Sequence, residues 1–395
     1  MSTRILLAFG GNSPEHEVSV ISGLQAAAAL KEMGGYEIIP LYIAKDSKWY
    51  TGPILLELSE YEELNQLLAK AQNCSFAHDK YGRVVLKEGA SSSWFAKAQE
   101  FVLDIALLAF HGAEGENGAF QGLCEQYNLA YTGSGVLASA IGMDKERAKQ
   151  IAQIAGVPVV VGFTLSEQVW VEQRKQVQEK ITALGLPLIV KPKSLGSSIG
   201  VGKILQEAEI TAAIEQALRY DSEVLIENMI SPLIEINCSV LSTVNGYDVS
   251  VCEMPRGSAD LLSFDDKYLS DMGTKGMASA DRIIPAPIED ALKEQIQKYT
   301  LDLAKELNLG GVSRLDFLMN AETKALYFNE VNTIPGSFSF YLWKHNGKSF
   351  GQLLQDCIAD GLKRHQQKVG RVRHYPTNLL SKRASTGLKS LKNKA

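Results

Sequence analysis

Ile5-Leu-Leu-Ala-Phe-Gly-Gly11 is an apolar run that breaks on two glycines. Its length suits a strand, and the glycines suit the turn that follows one. Val18–Met33 has a helix-forming, alanine-rich composition and stops at Gly34-Gly35. Glu37–Ile43 is rich in β-formers. Strand, helix and strand in this order predict a parallel pair joined by a crossover. Phe101–Phe110 is a nearly unbroken apolar run, as expected of a strand buried on both faces. Together these segments predict an N-terminal, Rossmann-like, doubly wound parallel-sheet domain over residues 1–143. Its ligands should gather at the carboxyl ends of the strands. Residues 46–100 are more polar and read as an insertion, with one helix near 57–72 and a hairpin around Tyr81–Leu86.

Further along, the order of elements changes from α/β to α+β. A unit over residues 144–230 opens with a helix, Asp144–Ala155, closed by Gly156 and Pro158. A polar helix from Ser166 to Leu184 follows, then strands Leu188–Lys191, Val201–Ile204 and Glu223–Glu227 around a helix Glu207–Tyr220. A third unit, 231–365, holds strands at 234–241 and 247–253 and a long loop Arg256–Asp281. The helix Ile288–Leu307, two further strands and a last helix, Ser349–Lys363, complete it. Residues 366–395 read as a tail.

The 395 residues are 45% hydrophobic and 22% charged, the composition of a globular protein with a sizeable core. The longest apolar runs are far too short to span a bilayer, so no membrane insertion is expected. Five scattered cysteines form no C-x-x-C pair, which disfavours a disulfide or zinc framework and favours a reducing, cytoplasmic setting. Ten of the 40 Lys/Arg and none of the 45 Asp/Glu lie at or beyond Lys363, so the rest of the chain carries −15. A body this acidic argues against nucleic acid as a partner. The tail reads as a solvated terminus.

Three groups of residues carry chemistry. Lys191-Pro-Lys-Ser-Leu-Gly-Ser-Ser-Ile-Gly-Val-Gly202 lies between two strands. Its glycines let backbone N–H groups approach an anion, Ser197 and Ser198 add hydroxyls, and Lys191 supplies a charge. A flexible hairpin turn would look the same. The P-loop spacing is absent. Gly133-Ser-Gly-Val-Leu-Ala138 formally matches a dinucleotide fingerprint but lacks the acidic residue beyond it, and reads as a tight turn. The second group is the strand pair Val312–Met319 and Ala325–Asn332. Residues two apart share a strand face, so Arg314 with Asp316 and Glu330 with Asn332 project together. A turn centred on Glu322 sets Arg314 opposite Glu330, with Asp316 diagonal to it. Asp316, Glu330 and Asn332 are hard oxygen donors that suit Mg²⁺ carrying a polyphosphate; a solvent-facing salt bridge is the alternative. The third group, Glu15-His16-Glu17 with His111, stands at the mouth of the first sheet. There the acids either hold an ammonium or complement a helix dipole.

Taken in order, these segments resemble the D-alanine–D-alanine ligase family. The resemblance rests on Gly10-Gly-Asn-Ser-Pro-Glu-His-Glu-Val-Ser19, Phe110-His-Gly-Ala-Glu-Gly-Glu-Asn-Gly118, Tyr131-Thr-Gly-Ser-Gly-Val136 and Met143-Asp-Lys145. Lys191–Gly200, Asp266-Lys-Tyr268, Ser313-Arg-Leu-Asp316 and Asn329-Glu-Val-Asn-Thr-Ile-Pro-Gly336 continue it, over roughly residues 4–362. It implies an ATP-grasp fold behind the first domain, a homodimer, and a cytoplasmic enzyme of peptidoglycan synthesis. The implied reaction uses ATP and two Mg²⁺, or Mn²⁺, to join two D-alanines through an acyl phosphate.

The resemblance also implies roles. Lys145 and Lys191 bind the ATP phosphates, with Ser197 and Ser198 in the covering loop. Glu227 and Glu235 hold adenine and ribose, and Asp316, Glu330 and Asn332 bind the metals. Glu15 takes the first D-alanine's ammonium, with His111 near it. Arg314 and the Gly336 N–H stabilise the tetrahedral oxyanion. Lys267 and Tyr268 belong to a lid over Arg256–Asp281, hinged at Gly257, Gly273 and Gly276, that keeps water from the acyl phosphate. Three departures from the family pattern stand out. Ser231-Pro-Leu-Ile-Glu235 lacks the usual glycine and is one residue longer. Asn117 stands where Asp is common. Ser337-Phe-Ser-Phe-Tyr341 replaces the Thr/Ser segment that meets the acceptor carboxylate, leaving Ser337 or Ser339 for that task. A different acceptor, such as D-lactate or D-serine, and a nucleotide-binding protein without ligase activity are the alternatives.

Overall fold

The computed structural model describes residues 2–89, 99–255, 282–372 and 377. The opening run is β1 (Thr3–Gly10), followed by the helix His16–Met33 and β2 (Tyr36–Ile43). Next come β3 (Trp49–Thr51), β4 (Gln72–His78), β5 (Val84–Glu88), β6 (Glu100–Val102), β7 (Ile105–Leu108) and β8 (Ala130–Tyr131). They form one sheet in the order β6-β5-β4-β3-β2-β1-β7-β8. β1 runs parallel to β2 and β7, and β7 to β8, so the doubly wound centre is as expected. The supposed insertion instead extends the sheet antiparallel, strand by strand.

The apolar run Phe101–Phe110 is not one strand. β6 pairs antiparallel with β5 and β7 parallel with β1, and the chain turns between them at Leu103-Asp104. There the Asp104 carboxylate accepts the Arg4 N–H at 2.8 Å and its guanidinium at 2.7 Å. A single charged residue thus divides a segment whose apolar periodicity is continuous.

A four-stranded antiparallel sheet follows, built from β9 (Gly162–Ser166), β10 (Leu188–Pro192), β11 (Gly202–Ile204) and β12 (Glu223–Asn228), in the order β11-β10-β12-β9. The polar helix is two, Glu167–Glu172 and Arg174–Leu184, broken at Gln173. A five-stranded sheet takes the order β15-β14-β13-β16-β17. Its strands are β13 (Leu233–Thr243), β14 (Gly246–Pro255), β15 (Arg282–Ile283), β16 (Val312–Asn320) and β17 (Leu326–Asn332). The last helix, Phe350–Val369, runs past the expected end. Its Leu353, Leu354, Cys357 and Ile358 join the core of the first sheet with Ile5, Leu7 and Phe9, so the chain's end closes back on its beginning. All five thiols are free. Among the described residues, no helix is long and apolar enough to cross a membrane.

Candidate active site

A cleft of about 1030 Å³ opens between the four- and five-stranded sheets. Lys145, Lys191, Ser198, Glu227, Glu235, Asp316 and Glu330 all line it, so the residues expected to meet nucleotide and metal converge. Lys145 begins the helix Lys145–Ile154, which Asp144 caps by accepting the Arg147 N–H. Lys145 Nζ donates to the Leu195 carbonyl at 2.5 Å and lies 3.3 Å from Glu330 Oε2. Lys191 is the last residue but one of β10, and its Nζ lies 2.6 Å from Glu227 Oε2 and 2.9 Å from Asn329 Oδ1.

The register of the metal strands differs from expectation. Arg314 lies opposite Asn332 and Asp316 opposite Glu330, with an irregularity between Asp316 and Phe317 that leaves Asn329 as an extra residue. The slip arises because the turn is not centred on Glu322 and because a bulge adds a residue to β17. The polar set still shares one face. It now forms a row across four strands: Glu253 opposite Asn237, Asn237 opposite Asp316, and Asp316 opposite Glu330. The bulge also brings Asn329 into the cleft, which no period-two reading can foresee.

Arg314 and Asp316 form a two-pronged pair, Nε to Oδ1 at 2.7 Å and Nη2 to Oδ2 at 2.8 Å. Burial opposes the Arg314 charge, but Asp316 overrides it and holds the guanidinium's pKa well above its ordinary value. Asn332 Nδ2 donates to Asp316 Oδ2 at 3.0 Å. Two facing carboxylates and an adjacent amide are a donor set that fits Mg²⁺.

Glu15, after β1, and Ser197, in the β10–β11 loop, meet beside the cleft. Glu15 is 9% exposed and accepts a hydrogen bond from Ser197 Oγ. Ser197 therefore meets Glu15, while its neighbour Ser198 lines the cleft. Gly112, at φ +67°, leaves the space that Glu15 fills, since a Cβ there would sit 2.7 Å from Glu15 Oε2.

His111 has both ring nitrogens engaged. Nδ1 donates to the Ile334 carbonyl at 2.8 Å, which leaves Nε2 to accept from Ser22 Oγ at 2.7 Å. Ser22 Oγ in turn accepts the Ser337 N–H at 2.9 Å. Burial pushes the His111 pKa down to about 4, so the ring is neutral and, through Ser22, holds the segment Ile334–Ser337 from behind.

Ser337, Phe338 and Ser339 all have left-handed backbones, with φ of 49°, 54° and 46°. At a cost of roughly 1–2 kcal/mol each, such a run marks a turn held by its surroundings. It follows Gly336 directly. Both serines are buried, and Ser339 Oγ has no hydrogen-bond partner among the described residues. Lys267 and Tyr268, and the whole supposed lid, lie outside the described residues.

Sequence reasoning missed five side chains: Glu116, Lys149, Glu253, Arg282 and Tyr341. Glu116 accepts the Gly112 N–H on Oε2 at 2.9 Å, and the Ile334 N–H on Oε1 at 3.0 Å. It ties the Gly112 and Ile334 loops together, and its place in the Phe110–Gly118 motif was the available signal. Lys149, one helical turn beyond Lys145, pairs with Glu227. Arg282 and Tyr341 flank Glu253: Arg282 Nη1 lies 2.8 Å from it and Tyr341 Oη donates to it at 3.3 Å. The Arg282 guanidinium lies over the Tyr341 ring at 4.1 Å. No local pattern announces this cluster, since its members come from different elements.

Two α+β units facing each other across a lysine- and carboxylate-lined cleft, behind a sheet with a parallel centre, define an ATP-grasp ligase fold. The family model of the D-ala D-ala ligase N-terminus matches residues 4–134, and that of the C-terminus matches residues 151–359. The chain belongs to the D-alanine–D-alanine ligase family. It is 35% identical to the D-alanine–D-alanine ligase of Thermosipho melanesiensis, over 94% of this chain and 96% of that protein. It is 32% identical to that of Geobacillus kaustophilus, over 93% and 97%. Among solved structures, the D-alanine–D-alanine ligase from Coxiella burnetii has a TM-score of 0.77 at 26% identity, covering 94% of this chain and 97% of that one. The VanG D-Ala:D-Ser ligase from Enterococcus faecalis has a TM-score of 0.74 at 28% identity, covering 91% and 100%.

Proposed function

We propose that this protein joins two D-alanines at the expense of ATP, releasing ADP and phosphate and supplying D-alanyl-D-alanine for peptidoglycan. The convergence of Lys145, Lys191, Asp316 and Glu330 on one cleft, with Arg314 paired to Asp316 and Glu15 bound to Ser197 of the glycine-serine loop, carries this reading. Lys145 and Lys191 neutralise the triphosphate, which otherwise repels a carboxylate nucleophile. Glu15, oriented by Ser197, holds the ammonium of the first D-alanine. The carboxylate oxygen of this first D-alanine bonds to the γ-phosphorus as the ADP oxygen leaves. The amine of the second D-alanine then bonds to the acyl carbon, loses a proton, and phosphate departs. Arg314 and the Gly336 N–H stabilise the oxyanion of that step. Asp316, Glu330 and Asn332 would hold Mg²⁺, which supplies charge neutralisation at the polyphosphate. His111 and Glu116 fix the loops that carry these groups. Glu235 holds the ribose. We place the enzyme in the cytoplasm as a homodimer.

Purified protein given ATP, Mg²⁺ and D-alanine should release ADP in a D-alanine-dependent manner, with D-alanyl-D-alanine as the product by mass. ADP release no greater with D-alanine than without it would sink the proposal. A parallel panel of D-serine and D-lactate as acceptors reads the specificity, and sedimentation reads the assembly.

A further inference from the structure

Behind the nucleotide cleft lies a buried triad. Glu227, 3% exposed, receives Lys149 on Oε1 and Lys191 on Oε2. The two lysines are 5% and 7% exposed. Glu227 and Lys191 line the cleft, whereas Lys149 reaches Glu227 from the helix Lys145–Ile154. Two ammoniums around one carboxylate leave an excess positive charge in a dry place. Burial and the Lys191 charge pull the Lys149 pKa down to about 8, against the opposing effect of Glu227. Burial raises the carboxyl's pKa, yet the two lysines together hold Glu227 below the ordinary range.

An arriving polyphosphate offers Lys191 a better partner. Once Lys191 turns to it, Glu227 and Lys149 remain as a neutral, hydrogen-bonded pair. Glu227 Oε2 is then available, still ionised, to accept a hydrogen bond. An exocyclic amine, as at C6 of adenine, donates there; a carbonyl oxygen, as at C6 of hypoxanthine or guanine, is repelled. Without Lys149, the departure of Lys191 would strand a buried carboxylate, which is strongly disfavoured. Glu227 would either keep Lys191 from the phosphates or take up a proton and lose its preference for an amine.

We propose that Lys149 is a positioning residue for base selection, holding Glu227 charged and in place so that Lys191 can serve the phosphates while Glu227 reads the C6 amine. This rests on the reading of the cleft as the ATP site.

The test is calorimetric titration with ADP and with inosine diphosphate, which differ in the C6 substituent. The wild-type protein should bind ADP about tenfold or more tighter. Lys149→Met should bring the two affinities within about threefold, chiefly by weakening ADP, and Lys149→Arg should restore most of the preference. Lys149→Gln, which keeps a donor for Glu227 without the charge, covers the case in which methionine disturbs folding and should lose the preference as well. Equal weakening of both nucleotides in the folded Met or Gln variant, or an unchanged ratio, would overturn the inference. Wild-type protein that binds neither nucleotide would overturn the ATP-site reading and the inference with it.

Discussion

Replacing Glu116 with glutamine should change how stability depends on pH. Its carboxyl is 7% exposed and joins the Gly112 and Ile334 loops. Burial, and then the nearby Glu15 charge, lift its pKa from an ordinary 4.5 to about 7, against the pull of the N–H donors. A carboxyl with a raised folded-state value binds its proton more tightly in the folded chain. Its contribution is therefore complete below pH 4.5 and disappears as the pH rises through 7. The full span is worth about 3 kcal/mol, and about 2.5 kcal/mol of it falls between pH 5 and 8. With an unfolding entropy of about 2.1 cal/mol/K per residue over 395 residues, that is about 3 °C in Tm. Scanning calorimetry of wild type and Glu116→Gln at pH 5, 6, 7 and 8 measures it. The wild-type Tm should drop relative to the variant by about that amount across the series, whatever constant offset the amide introduces. Two parallel profiles would refute the reasoning, because they would mean that Glu116 does not titrate in this window.

Three further outcomes are expected. Arg314→Ala should lower turnover by about 10²-fold or more while ATP binding persists, the usual result of losing an oxyanion donor; steady-state kinetics with nucleotide titration reads both. Gly112→Ala places a Cβ 2.7 Å from Glu15 Oε2 and 2.8 Å from Ser13 Oγ at a left-handed φ. It should raise KM for the first D-alanine by about tenfold, with ADP affinity unchanged by calorimetry, because the Glu15 carboxylate is what must move. Truncation after Val372 should leave turnover and Tm unchanged. Cutting before Arg364 should lower Tm, since Arg364 donates to the Gly133 carbonyl at 2.7 Å and pairs with Asp360.

Much of this architecture is legible in the sequence where local pattern and burial agree. β1, the helix His16–Met33 and β2 follow from one apolar run, one helix-forming segment and paired glycines. Asp316 and Glu330 are legible because alternation fixes which side chains share a strand face, and Lys191 because it ends an apolar run before a glycine-serine loop, whereas Lys145, Glu227 and Glu235 are singled out only by the family resemblance. Alternation cannot count a bulge, so the pairing of Arg314 and Asp316 with β17 was misplaced and Asn329 overlooked. Composition could not divide Phe101–Phe110 either, since the break depends on Arg4, about a hundred positions earlier. The Glu253–Arg282–Tyr341 cluster is a product of sheet assembly, and Lys149 gains meaning only through Glu227 on β12. Groups that act through a partner distant in the chain leave the weakest trace in a sequence.

The hydrogen-bonded thread from Ser337 through Ser22 and His111 to the Ile334 carbonyl bears on how such enzymes diversify. The backbone after Gly336 is held by the Ser22 hydroxyl, 315 positions upstream, which is itself held by His111. Recombination between relatives that exchanged one half without the other would separate a template from the loop moulded on it. Changes to the Gly336–Ser339 turn are therefore tolerated more readily when matched by changes around Ser22 than when one half of the chain is traded whole.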